Sequence, residues 1–141
     1  MAGPTSVLAS TTAHATGGRD GKVHIDGDSL WVAMAVAKEM GGSGLGSTPE
    51  HLFAMGYASC INSALLSVAG QQKVDASKAK LSREVGVGRG KAGGFALQAK
   101  LTVKIPGLDA VAAKDLVDGA HQVCPDSNAT RGNMPVELVV E

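Results

Sequence analysis

One uninterrupted stretch, Thr48 to Gly70 (TPEHLFAMGYASCINSALLSVAG), constrains the fold of this chain more than any other. Thr48 suits an N-cap, Pro49 suits a first helical position that needs no amide donor, and Glu50 places negative charge at the positive end of the helix dipole. Gly70 supplies a stop, and nearly every position between is apolar or small, so the stretch predicts a helix buried over most of its circumference. Cys60 falls at its middle. Gly56, Ser63 and Ser67 share its stripe at helical spacing, which makes a narrow lane of small side chains that another backbone can approach closely. Position alone leaves two readings of Cys60 open: a small core residue, or a thiol reached through whatever opening its neighbour leaves.

The remaining bounds come from length and charge. The 141 residues fit one domain, residues 1–141, with a single core. Thirteen basic against thirteen acidic residues leave no net field to attract nucleic acid or an anionic membrane, and 3% aromatics supply no base-stacking platform. Two cysteines, Cys60 and Cys124, are too few for a disulfide framework of the secreted kind. The opening residues MAGPTSVLAS lack a basic start and a long apolar run, and no segment reads as a membrane span, so a soluble cytoplasmic protein is expected.

In chain order, Thr5 to Thr16 reads as one or two short strands, Gly17 to Gly21 as a turn carrying Arg19, and Val23 to Ile25 as a strand. Leu30 to Ala37 alternates large and small residues and predicts another strand, followed by a flexible connector at Gly41 to Gly46. After the central helix, Ala79 to Val87 and Phe95 to Ile105 predict a hairpin closed by the glycine-rich Gly88 to Gly94. That loop fails the spacing of a phosphate-binding loop. Leu108 to Cys124 predicts a second helix with Leu116, Val117, Ala120, Val123 and Cys124 on its apolar side, ended by Pro125. A polar turn, Asp126 to Asn133, then leads to a last strand from Met134 to Val140. The sum is an α+β pattern with two long buried helices and about six mostly antiparallel strands, arranged mainly as hairpins.

Each helix thus carries one cysteine on its apolar face. If the two helices touch there, Cys60 and Cys124 could form a disulfide without CxxC spacing; two unrelated core thiols fit the same pattern. The histidines His14, His24, His51 and His121 show no metal-ligand spacing and share no cluster with the cysteines, and no GxSxG elbow offers a serine nucleophile. No metal or other cofactor is called for.

TPEHLFAMGYASC followed by VCPDSNATRGN, with an early GGRDGKV and a late NMPVELVV, resembles the organic hydroperoxide resistance proteins of the OsmC-like family over essentially the whole chain. The resemblance implies an OsmC-like fold, an intertwined homodimer with sites at its interface, and a cysteine-based peroxidase for alkyl or fatty-acid hydroperoxides. It implies a peroxidatic Cys60, a resolving Cys124, and tuning by Arg19 and Glu50, with a dithiol, by implication a lipoylated protein, as reductant. One departure is visible: Asp126 stands where many members have an aromatic residue.

Thiol chemistry gives those residues a physical use. A cysteine attacks peroxide only as thiolate, and a guanidinium held by a carboxylate favours that form. Arg19 as a solvated turn residue and Glu50 as an ordinary helix-start acid are the plainer alternatives. Ten residues of one helix separate Glu50 from Cys60 by about 15 Å, so they cannot touch within it. Either Arg19 spans the gap or a second subunit supplies both charges. An OsmC-branch peroxidase of different peroxide preference, and a non-enzymatic thiol sensor or ligand-binding module, remain open beside the main reading.

Overall fold

The computed structural model describes residues 3–141 and divides the chain into two compact units, one running to Pro49 and the other from Glu50 to Glu141. The first unit is a three-stranded antiparallel sheet, β1 (Ala13–Thr16), β2 (Lys22–Ile25) and β3 (Trp31–Ala33), in the order β1-β2-β3. Only the end of the long stretch expected to be extended pairs. Val7 and Leu8 stay exposed, and beyond Ala33 the chain makes a single bridge, Met34 to Ser47. The alternation at Leu30 to Ala37 overstated β3 because later amides find other acceptors. The amide of Ala35 donates to the Ser47 carbonyl at 2.9 Å, and that of Val36 to the Asp20 carboxylate at 3.1 Å.

That last bond pins the arginine turn. Arg19 lies in a 3-10 turn, Gly18–Asp20, and Asp20 beside it anchors the turn to the segment after β3. Two glycines make the turn sterically feasible. Gly17 has φ +77°, and a side chain on Gly21 would overlap the Thr16 carbonyl oxygen.

In the second unit α1 (Pro49–Gln71) starts where Thr48-Pro49-Glu50 predicts and runs one residue past Gly70. It is followed by β4 (Lys80–Arg89), β5 (Phe95–Lys104), α2 (Ala110–Val123), α3 (Pro125–Thr130) and β6 (Val136–Val140). β4 and β5 form the expected hairpin, in register from Lys80 opposite Lys104 to Arg89 opposite Phe95. β6 joins β5 in parallel, Ala99 beside Val136 through Val103 beside Val140. A parallel neighbour needs a long crossover, which α2 and α3 provide, so this pairing is the exception to the hairpin arrangement. The polar stretch after Pro125, expected to be a turn, is the short helix α3.

Tyr57, Ile61, Leu65 and Val68 from α1 pack with Leu101 and Val103 from β5 and with Leu116, Val117 and Ala120 from α2. The helices approach closely at Gly119, where an added Cβ would lie 3.2 Å from Val68 Cγ1. Burial of α1 is narrower than its apolar sequence predicts. Gly56, Ser63 and Ser67 are exposed, as are Met55 and Leu66, and the core takes the adjoining stripe of Tyr57, Ile61, Leu65 and Val68, with Cys60 packed at its edge. Contrary to the expectation of no span-like segment, α1 has the length and hydropathy to cross a bilayer, with a mean of 1.5 over its most apolar 18 residues. On α2, Val123 is 54% exposed although it was placed on the apolar side, since the helix ends there.

Candidate thiol site

Cys60 sits on the margin of the buried stripe of α1, three residues after Tyr57, and is partly exposed. Cys124 is fully buried and occupies the joint between α2 and α3 with φ −67° and ψ 121°. Pro125 creates this joint. It forces the preceding residue out of the α region, which stops α2, and then serves as the first residue of α3. Both backbone groups of Cys124 are satisfied there: its amide donates to the Ala120 carbonyl and its carbonyl accepts from the Asn128 amide, each at 3.0 Å. A joint bonded on both sides holds the side chain at a fixed place. The result is that Cys60 Sγ and Cys124 Sγ lie 2.9 Å apart, both as free thiols.

The electrostatics of this contact oppose ionisation. Burial above all, then the hydrogen bond with Cys124 and the charges of Cys124 and Asp126, push the Cys60 thiol up to about 11. One group works the other way: the backbone amide of Asp126 hydrogen-bonds to Cys60 and favours the thiolate.

Behind the sulfurs lies a layer that the sequence pattern did not announce. Arg83 is buried on β4, with its guanidinium carbon 3.6 Å from the centre of the Tyr57 ring. None of its three side-chain nitrogens meets hydrogen-bond geometry with a partner among the described residues, so the ring face is its chief support. Burial holds its pKa below the ordinary arginine value, against the favourable influence of Tyr57, Cys124 and Asp126. A signal for it was present. In Leu81-Ser82-Arg83-Glu84-Val85, Arg83 takes the apolar phase of an alternating strand.

The Tyr57 hydroxyl lies 2.9 Å from Ser127 Oγ, which in turn lies 2.6 Å from His121 Nδ1. Arg131 closes the layer by donating to the His121 carbonyl and to Asn128 Oδ1 at 2.7 Å. His121, three residues before Cys124 in the chain, thus shares Ser127 with Tyr57. Burial, then the charges of Arg131 and Arg83, hold its pKa below the usual imidazole value. Among the described residues no three His, Cys, Asp or Glu side chains gather as a metal site requires.

Arg19 belongs to the first unit, in the turn described above, and Glu50 opens α1. Because α1 is continuous from Pro49 to Gln71, the ten residues between Glu50 and Cys60 keep them about 15 Å apart along it.

Residues 41–139 match the family described as OsmC-like protein. Over 142 residues, covering 99% of each chain, the sequence is 42% identical to the organic hydroperoxide resistance protein of Xanthomonas axonopodis pv. citri. It is 39% identical to the organic hydroperoxide resistance protein OhrB of Bacillus subtilis, over 93% of this chain and 96% of that one. Among solved structures, an organic hydroperoxide resistance protein from Legionella pneumophila superposes with a TM-score of 0.92 at 41% identity, covering 96% of this chain and 99% of the other.

Proposed function

Since the chain belongs to the OsmC-like family, and its relatives carry the name organic hydroperoxide resistance protein over nearly its whole length, we propose that it is a thiol-dependent peroxidase for organic hydroperoxides. The observation that carries the reading is the 2.9 Å approach of two sulfurs 64 positions apart in sequence. Such a pair can exchange a sulfenic acid for a disulfide with little movement of either helix.

In the first step the Cys60 thiolate attacks the outer peroxide oxygen. The O–O bond breaks, the alkoxide takes a proton and leaves as alcohol, and Cys60 becomes a sulfenic acid. In the second, the Cys124 sulfur attacks the Cys60 sulfur. A disulfide forms and water departs with the Cys124 proton. An external dithiol then reduces the bond by two successive exchanges; a lipoylated protein fits that role by family likeness.

Ionisation is the demanding requirement, because a thiol near 11 is ionised to about one part in ten thousand at neutral pH. We assign the compensating cation to Arg19 and its orientation to Glu50. As Glu50 cannot reach Cys60 along its own helix, a homodimer in which a second copy completes the site is the arrangement proposed. In it residues 1–141 act as one domain.

The test is intact-mass and peptide mapping after one equivalent of cumene hydroperoxide, followed by turnover with excess dihydrolipoamide. A Cys60 to Cys124 bridge with many equivalents of peroxide consumed supports the reading. Consumption of a single equivalent makes the protein a sensor, and a Cys60→Ser variant that still turns over peroxide removes the site assignment.

A further inference from the structure

α1 and the joint between α2 and α3 meet at a second place besides the sulfurs. Tyr57 stands three residues before Cys60, about 4.5 Å back along α1, and Ser127 stands three residues after Cys124 in α3. The Tyr57 hydroxyl lies 2.9 Å from Ser127 Oγ, the same separation as that of the two sulfurs. Both residues are fully buried, so the bond is shielded from bulk water. The same two elements are thus joined by two rungs, one of sulfur and one of hydroxyl.

The hydroxyl rung is held on both sides. The Arg83 guanidinium lies 3.6 Å from the centre of the Tyr57 ring, and the Phe53 ring meets it edge-on at 5.8 Å, so the phenol has no room to swing away. Ser127 Oγ lies 2.6 Å from His121 Nδ1, which ties it back to α2. Thr130 Oγ1 donates its proton to the Asp126 carbonyl at 2.9 Å and so accepts at its 3.4 Å contact with Tyr57. The short contacts are all satisfied when Tyr57 donates to Ser127 and Ser127 donates to His121 Nδ1, in the imidazole form protonated on Nε2. The sulfur rung restrains far less, because Cys60 and Cys124 are free thiols and an S–H is a weak donor.

From these two rungs we propose that Tyr57 and Ser127 are positioning residues for the thiol pair: their bond holds Cys124 at its 2.9 Å approach and so sets its effective concentration at Cys60. Closing the disulfide then asks for a further movement of about 1 Å, and most of the entropy of bringing the sulfurs together is already lost in folding. Taken with the peroxidase reading, on which this consequence rests, fast closure keeps the Cys60 sulfenic acid short-lived. A second peroxide then meets a disulfide, not a sulfenic acid that it would oxidise irreversibly to the sulfinic form.

The test uses glutathione and no peroxide, so it stands or falls apart from that reading. The reduced protein is equilibrated in a glutathione redox buffer. Cys60 exchanges with glutathione disulfide to give a mixed disulfide and one glutathione thiol, and Cys124 then displaces the second glutathione as the protein disulfide closes. Two protein thiols are oxidised and one glutathione disulfide is reduced to two thiols. After acid quenching, intact mass gives the ratio of closed to mixed disulfide. That ratio multiplied by the free glutathione concentration is the effective concentration of Cys124, and the ionisation of the free Cys60 thiol does not enter it. Tyr57→Phe keeps the ring and its stack and removes only the hydroxyl, while Ser127→Ala removes the other half of the bond. Each should lower the effective concentration about tenfold, the scale of one buried hydrogen bond. The double variant should fall no further than Ser127→Ala alone, because either change breaks the same bond. Urea denaturation records any loss of folding stability separately, and Tyr57→Phe decides alone if Ser127→Ala does not fold. An unchanged effective concentration in Tyr57→Phe, whatever its urea midpoint, overturns the proposal, as do losses that add in the double variant.

Discussion

Replacing Arg19 by glutamine tests whether a guanidinium ionises Cys60, and the structure sets the size of the effect. Burial, the Cys124 hydrogen bond and the Asp126 charge push the thiol up to about 11, whereas rapid peroxide attack at neutral pH calls for a value near 7. The difference of about four units corresponds to about 5 kcal/mol. A single guanidinium about 4 Å from the sulfur supplies about 4 kcal/mol at an effective dielectric of 20. Cys60 is partly open to water, which screens that attraction, so about 2 to 3 kcal/mol is the realistic contribution. Arg19→Gln should therefore slow alkylation of Cys60 by iodoacetamide at pH 7 about 100-fold and move the midpoint of its pH profile upward by about two units. The variant rate should rejoin the wild-type rate at high pH, where both thiols are ionised. Arg19→Lys should lie between them, because an ammonium keeps the charge but loses the planar fork. A pH profile in Arg19→Gln that coincides with the wild type would refute the assignment, even if peroxidase activity were lost.

Gly21→Ala should reproduce much of the Arg19→Gln shift without touching the arginine, because its methyl group meets the Thr16 carbonyl and must open the turn; a wild-type alkylation profile would show that the turn does not position the charge. Arg83→Met should be neutral or stabilising by about 1 kcal/mol in urea denaturation, since an apolar chain of similar length replaces a buried cation whose nitrogens find no hydrogen-bond partner among the described residues, and a loss above about 2 kcal/mol would mean that the Tyr57 stack outweighs its desolvation. For His121 the folded pKa is depressed, so its contribution to stability is present above the unfolded value of about 6.5 and is lost as pH falls through the folded value. Urea midpoints should drop from pH 7.5 to pH 5 more steeply in the wild type than in His121→Gln, and parallel drops would count against the imidazole.

How far these features could be read in the sequence depended on the range of the interaction that determines each. The α1 boundaries and the β4–β5 hairpin were visible because caps, periodicity and turn residues act within a few positions. The start of α2 was misjudged by only two residues, since the Asp109 carboxylate accepts from the Ala112 amide at 2.8 Å and so defines the first turn. α3 was missed for a physical reason. Its six residues, PDSNAT, have no apolar periodicity, and the first of them, Pro125, also carries the signal that ends α2. Arg83 and the Tyr57–Ser127–His121 chain were missed because their partners are brought together only by the folded core. Periodicity placed each cysteine on the apolar face of its own helix, but contact between them depends on the approach at Gly119 and the angle at Cys124, which no local pattern states.

Meeting and ionisation place opposite demands on a pair of thiols. The core that brings Cys60 to 2.9 Å from Cys124 also removes water from it, and burial is the largest cause of its raised pKa. Tighter packing would improve the first property and worsen the second. The joint at Cys124 eases this conflict, because the same proline that fixes the Cys124 sulfur begins α3 and turns the Asp126 amide toward Cys60. A first-turn amide favours an anion whatever side chain it carries. The side chain at that position can then change the charge near the sulfur without disturbing the backbone bond. The Asp126 charge works against the thiolate, which makes a cation from outside this helix joint more necessary.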